Sequence, residues 1–255
     1  VSNRWTCLPS SLLSPRTWRP LHAVPVLRLG TLAASTAWAI VSLVLVHAST
    51  TRMHHWSHTV LRRLGVALEI HGRPQDGARL WVANHLSWLD PLVLMSLRPM
   101  GALAKREVAT YPFIGRAARR LGLAFVDRTD PTSRAAALTR FAADLRRGEP
   151  MLLFPEGTTT RGQGLAPLQE GGLKAAYRCR IAVQTIQLSS ADPWYPWTGD
   201  DTLLPHLLDL SRARSTRLRL AFGEVLEPRR FVHEEAWCQA IRRQLDPASR
   251  GPHEP

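Results

Sequence analysis

The distribution of charged and apolar positions divides the chain into two regimes. From Leu29 to Val46 no charged residue occurs, and Ala, Ser and Thr are mixed with Leu and Val. As one helix this run would be about 27 Å long, just short of the roughly 30 Å hydrocarbon core of a bilayer. Arg16, Arg19 and Arg28 precede it, and Arg52, Arg62 and Arg63 follow it, so the basic residues set no orientation across a membrane. Three arrangements fit: a single transmembrane helix, a helix dipping into one leaflet with a second returning near residues 52–65, or a buried helix of a soluble fold. A signal peptide fits poorly, because the run starts late, is long, and precedes no convincing small-residue cleavage site.

After residue 65 short apolar runs alternate with helical patterns. Strands are predicted at Val66–Ile70, Leu80–Ala83, Ala102–Ala104, Leu123–Val126, Met151–Phe154, Ile181–Leu188 and Leu218–Phe222. Helices are predicted at Pro91–Leu97 (opened by Asp90), Ile114–Leu121, Ser133–Arg147 and Gly171–Arg178. In Ser133–Arg147 the apolar face is expected from Ala136, Leu138, Phe141 and Leu145. The alternation points to an α/β sandwich. Pro193–Thr198 reads as a loop, and the polar tail after Pro247 as frayed.

Composition narrows the partners. The 255 residues carry 33 Lys+Arg against 20 Asp+Glu, a formal charge of +13, and Lys105 and Lys174 are the only lysines. Such a balance implies an anionic partner: nucleic acid, an anionic membrane surface or a phosphorylated substrate. The arginines are dispersed and no nucleic-acid recognition motif is visible, which argues against nucleic acid. Cys7, Cys179 and Cys238 are an odd, scattered set, unsuited to a disulfide framework or a structural zinc site. His54 and His58 have helical i, i+4 spacing beside His55, but no Glu accompanies them as in a zinc-protease motif. Surface or interfacial histidines are expected there, and no metal site.

Three segments carry chemistry. In Asn84-His85-Leu86-Ser87-Trp88-Leu89-Asp90 a His follows a buried strand, and an Asp stands five residues later where a helix begins. A carboxylate on one imidazole nitrogen fixes the tautomer and frees the other nitrogen to take a proton. Alternatively, Asp90 only caps the helix and His85 is a turn residue. Phe154-Pro155-Glu156-Gly157-Thr158-Thr159-Thr160-Arg161 follows another strand with a glycine, hydroxyls and an arginine, which suit a phosphate or polar head group or simply a capped turn. Gly122-Leu123-Ala124-Phe125-Val126-Asp127-Arg128 delivers Asp-Arg to a strand end, where open α/β sheets place ligands; a surface ion pair is the plainer alternative.

Together, in order and spacing, these segments resemble the bacterial lysophospholipid acyltransferase family, whose members include 1-acylglycerol-3-phosphate acyltransferases. Asn84, His85 and Asp90 match its Asn-His-x-x-x-x-Asp; Gly122, Phe125, Asp127 and Arg128 match Gly-x-x-Phe-x-Asp-Arg; Phe154 to Thr158 match Phe-Pro-Glu-Gly-Thr. Lys105, Glu107, Pro112 and Gly115 are similar to its Lys-x-Glu…Pro…Gly segment, and the resemblance covers roughly residues 60–225. It departs at Thr159, where the family usually has Arg (here first met at Arg161), and at Ile181–Ile186, where a Val-Pro-Val strand is usual. Gly199–Leu207 is similar to a stretch found in a subgroup that includes lyso-ornithine-lipid acyltransferases.

The resemblance implies an α/β fold with a mixed sheet flanked by helices, glycerolipid acyltransferase-like, preceded by an N-terminal membrane-associating helical segment. The expected division is 1–62 for that segment, 63–246 for the acyltransferase domain and 247–255 for a disordered tail. It implies acyl transfer from a thioester to 1-acylglycerol-3-phosphate, giving phosphatidic acid, or alternatively to lyso-ornithine lipid or another lysolipid. His85 and Asp90 are the implied catalytic pair, and Lys105, Phe125, Arg128, Glu156, Gly157 and Thr158 the implied substrate-binding residues. No cofactor is expected; acyl-CoA or acyl-carrier protein is the co-substrate, and an acidic carrier would suit a basic surface. The expected location is a bacterial inner membrane, with the site facing the cytoplasm. No Gly-x-Ser-x-Gly elbow occurs, so Ser87 is not read as a nucleophile, and Cys179 is read as structural. Trp88 is expected to line the site or the acyl channel.

Overall fold

A computed structural model describes residues 27, 30, 31, 33, 34, 50–105, 124–127, 129–199 and 201–249. The described elements begin with helix α1 (Thr50–Leu64), strand β1 (Val66–His71), β2 (Leu80–Ala83), the short helix α2 (Asp90–Met95), β3 (Gly101–Lys105) and β4 (Ala124–Val126). There follow α3 (Pro131–Arg146), β5 (Met151–Leu153), α4 (Gly171–Arg178), β6 (Val183–Ser189), α5 (Leu203–Arg212), β7 (Thr216–Leu226) and α6 (Glu234–Leu245). The seven strands form one sheet in the order β1-β7-β6-β2-β5-β3-β4. All neighbours pair in parallel except β6 and β7, so β1 and β7 run against the other five. This is the mixed sheet that the resemblance implies.

Helices cover both faces, which is why β2 and β5 are apolar throughout instead of alternating. All four residues of β2 are buried. Leu80 and Val82 point into a core with Phe141 and Leu145 of α3, Leu173 of α4, and Trp237 and Ile241 of α6. Trp81 and Ala83 point the other way, into a core with Val60, Leu61 and Leu64 of α1, Val93 of α2 and Leu210 of α5. β2 is thus the hinge line between two cores, and whatever follows it starts from a rigid base.

Several expectations shift. The apolar face of α3 is rotated: Ala137 is buried and Ala136 exposed, while Phe141 and Leu145 are buried as expected and Leu138 is half-buried. The helix starts at Pro131 because the Asp130 side chain caps it, accepting from Thr132 N and Ser133 N. β7 has 11 residues, more than Leu218–Phe222, because it pairs on both sides, with β1 and β6. Helices α5 and α6 were not expected, and the expected helix Ile114–Leu121 lies outside the described residues. α1 covers the stretch near 52–65 where the leaflet-dipping arrangement puts a returning helix, and it buries Val60, Leu61 and Leu64 in the fold.

Of the apolar run, Gly30, Thr31, Ala33 and Ala34 are described, all helical. Arg63 of α1 donates to the Thr31 carbonyl. Whether the run spans or dips lies outside the described residues, among which no helix is long and apolar enough to cross a membrane. His54 bonds Met95 O at 3.0 Å and sits beside His55 and His58. Among the described residues no group of three His, Cys, Asp or Glu side chains is placed to hold a metal ion.

One side chain joins strand ends across the sheet. Buried Asn84 donates through Nδ2 to Leu188 O at 2.9 Å and accepts from Leu188 N at 2.7 Å, so the end of β2 is locked to β6. Asn84→Ala leaves both Leu188 groups without their partner. Urea unfolding is expected to show a loss of about 2 kcal/mol.

Candidate active site

Strands β6, β2, β5, β3 and β4 all run the same way, so their C-terminal ends share one edge of the sheet. That edge carries His85 after β2, Glu156 after β5, Lys105 at the end of β3 and Asp127 after β4. The expected motifs come from distant stretches of sequence, yet the parallel topology brings them to one rim, where such sheets hold ligands.

His85 stands at the centre. Its Nδ1 lies 2.8 Å from Asp90 Oδ2. Asp90 is fully buried, and the same Oδ2 accepts from Leu86 N at 2.6 Å and Ser87 N at 2.8 Å. Tyr195 O–H donates to its other oxygen at 2.6 Å. Asp90 is the first residue of α2, yet these bonds run back to the preceding loop and do not cap the helix. A carboxylate can only accept, so His85 Nδ1 carries the proton and Nε2 has a free lone pair. The ring stacks on Phe154, centroids 4.1 Å apart, and the side chain keeps 18% exposure.

The His85 backbone is held as firmly as its ring. Its N–H donates to Glu156 Oε1 at 2.8 Å, and its carbonyl accepts from Thr160 N at 2.8 Å and Thr160 Oγ1 at 3.3 Å. Glu156 Oε2 accepts from Ala166 N at 2.9 Å. Burial raises the Glu156 carboxyl above its ordinary range, against the opposing pull of these two backbone donors. Glu156 is therefore a brace between the His85 loop and the 155–166 loop. Gly157 makes the tight turn that starts this loop, with φ of 72° and its N–H on Phe154 O at 3.1 Å. Thr158 is exposed, and Thr160 makes the contact to His85 that the sequence does not single out.

Of the other expected residues, those described lie further along the rim. β4 is three strands from β2, roughly 14 Å at ordinary strand spacing. Phe125 lies in β4, half-buried. Asp127 accepts from Thr129, and its own N–H donates to Ser133 Oγ. Arg128, Glu107, Pro112, Gly115 and Gly122 lie outside the described residues. Fully buried Ser87 faces inward, its Oγ accepting from Leu89 N at 3.4 Å.

Two residues at the centre escape sequence reading. Tyr195 reaches Asp90 across 105 positions from the Pro193–Thr198 loop. His206 of α5 accepts from Trp88 Nε1 at 3.0 Å, and its Nε2 bonds Tyr195 O at 3.2 Å. Trp88 is half-buried and tied into this cluster. The only advance signal is the Gly199–Leu207 resemblance, which contains His206.

The chain is similar to known acyltransferases in sequence and in fold. The sequence pattern of the Acyltransferase family matches residues 67–189. A lyso-ornithine lipid O-acyltransferase from Pseudomonas aeruginosa is 34% identical over 178 residues, covering 68% of this chain and 67% of the relative. A 1-acyl-sn-glycerol-3-phosphate acyltransferase from Neisseria meningitidis is 31% identical over 159 residues, covering 59% of this chain and 58% of the relative. The crystal structure of a 1-acyl-sn-glycerophosphate acyltransferase from Thermotoga maritima has the same fold, with a TM-score of 0.58, 18% identity, and coverage of 76% of this chain and 77% of that one. The chain belongs to the acyltransferase family.

Proposed function

We propose that this enzyme moves a fatty acyl group from an acyl thioester to the free hydroxyl of a lysolipid, with His85 as general base. The carrying observation is the His85 Nδ1–Asp90 Oδ2 bond of 2.8 Å, which leaves Nε2 as the free base. A substrate hydroxyl is a poor nucleophile at neutral pH, and a positioned base contributes roughly 10²–10⁴-fold. Nε2 takes the hydroxyl proton as the oxygen attacks the thioester carbonyl. Collapse of the tetrahedral intermediate breaks the C–S bond, and the imidazolium returns the proton to the departing thiolate. Asp90 stabilises the imidazolium formed in between. The thioester brings its own leaving group, so no acyl-enzyme, metal or bound cofactor is invoked.

For the acceptor, relatives and sequence favour lyso-ornithine lipid. The Pseudomonas relative matches over a longer stretch than the Neisseria one. The lyso-ornithine-like segment Gly199–Leu207 also supplies His206, which is bonded into the site. The second reading, 1-acylglycerol-3-phosphate giving phosphatidic acid, is favoured by the three motifs, with Lys105 and Arg128 binding the phosphate and Phe125, Glu156, Gly157 and Thr158 shaping its pocket. The donor is acyl-CoA or acyl-carrier protein, and the basic chain works at the cytoplasmic face of a bacterial inner membrane.

The test gives purified protein both acceptors and both donors, labelled in the acyl chain. His85-dependent product with lyso-ornithine lipid, at least tenfold above that with 1-acylglycerol-3-phosphate, is expected. The reverse preference moves the enzyme to phosphatidic acid synthesis. Silence with both removes the proposed substrates.

A further inference from the structure

Beyond the His–Asp pair, a chain of hydrogen bonds links parts of the fold that no sequence motif joins. Trp88 Nε1 donates to His206 Nδ1, His206 Nε2–H donates to the Tyr195 carbonyl, and Tyr195 O–H donates to Asp90 Oδ1 at 2.6 Å. A third anchor comes from the same loop, where Trp197 N donates to Leu86 O at 2.9 Å. Tyr195 and Asp90 are both fully buried. No solvent therefore replaces the phenol as a donor to that oxygen.

We propose that Tyr195 is a positioning residue for acyl transfer, fixing the rotation of the Asp90 carboxylate and sharing its charge, with His206 holding Tyr195 in place. This rests on the reading of His85 as the base. Oδ2 already serves two backbone N–H groups and the imidazole, so only a donor on Oδ1 completes the carboxylate's coordination. The phenol is suited to the task. Burial first, then the neighbouring Asp90 charge, hold it well above its ordinary titration range, so it remains a donor throughout any working pH. Burial likewise favours the neutral form of His206, which is the form able to accept from Trp88 and donate to Tyr195.

Among the described residues, the titratable groups facing this network are His85 before α2, Asp90 on α2, Glu156 after β5, and His206 on α5, itself within the field of Asp201 and Asp209. Removing the phenol concentrates charge on Asp90, which then holds the protonated His85 more tightly. The free base is regained only at higher pH.

The experiment is the pH dependence of kcat and kcat/KM for Tyr195→Phe, with His85→Ala in parallel and circular dichroism melting on each. The expected result is a folded protein with kcat lowered roughly ten- to hundredfold and KM within about twofold. The acid limb is expected to move up by roughly half to one pH unit. A folded Tyr195→Phe with the parent's kcat and a superimposable profile overturns the proposal, while an inactive His85→Ala leaves the base intact. An active His85→Ala instead overturns the base and this proposal with it. Should Tyr195→Phe not fold, His206 decides. His206→Leu is expected to lower kcat and shift the limb in the same direction, and His206→Gln, which can still accept and donate, to restore both. Unchanged profiles in both His206 variants overturn the proposal.

Discussion

His85→Ala is expected to lower kcat by roughly 10²–10⁴-fold while leaving the protein folded. Activity falls because the two carboxylates described beside His85 are both engaged and cannot replace it as the base. Glu156 is buried, with both its oxygens accepting backbone N–H groups, and Asp90 is fully buried behind the imidazole. Stability holds because the bonds that shape the loop are made by the backbone at position 85, which alanine keeps. Asp90 retains Leu86 N, Ser87 N and Tyr195 O–H. What is lost is one hydrogen bond and the stacking on Phe154, a cost of about 1–2 kcal/mol. Steady-state acyl transfer and urea unfolding on the same preparation check both halves. Parental turnover would exclude His85 as the base, and an unfolded variant would show that the imidazole is structural.

The parts of this site that sequence reveals are the ones encoded locally. The His85–Asp90 pair closes within five residues, and a buried apolar β2 announces where the loop begins. α4 spans Gly171–Arg178 as expected, because its apolar face repeats at helical spacing. α5 is harder to read because Pro205 argues against a helix. It is tolerated as the third residue, where the backbone N–H lacks an intrahelical partner in any case. α6 carries Trp237, Cys238, Ile241 and Leu245 on one face, a pattern present in the sequence but diluted by six charged or amide side chains. Tyr195 is the opposite case. Its loop has no periodicity, and its one informative contact lies 105 residues away. The Glu156 brace is similarly non-local: the sequence marks Glu156 as lining a pocket, and only the fold brings its carboxylate to the His85 N–H.

Asp90→Asn is expected to fail in both activity and stability, which separates it from His85→Ala. The carboxylate offers acceptors only, and four donors converge on it: His85 Nδ1, Leu86 N, Ser87 N and Tyr195 O–H. An amide has one acceptor oxygen, and its NH₂ must face at least one group that was donating. The two backbone N–H groups cannot rotate away, so the amide oxygen turns to them and Tyr195 or His85 loses its partner. Because Asp90 and Tyr195 are fully buried, this costs roughly 1–3 kcal/mol, read as a lower urea midpoint. Catalysis falls as well, by roughly 10²–10⁴-fold and no further than in His85→Ala, because a neutral amide does not stabilise the imidazolium that forms as the hydroxyl is deprotonated. The decisive comparison is the double variant. If Asp90 acts on the reaction only through His85, then once the imidazole is gone the second substitution has nothing left to remove. His85→Ala/Asp90→Asn should match His85→Ala in kcat while keeping the stability loss of Asp90→Asn. Additive losses in kcat would mean that Asp90 contributes by a route independent of the imidazole, and the pair would then not be a single catalytic unit.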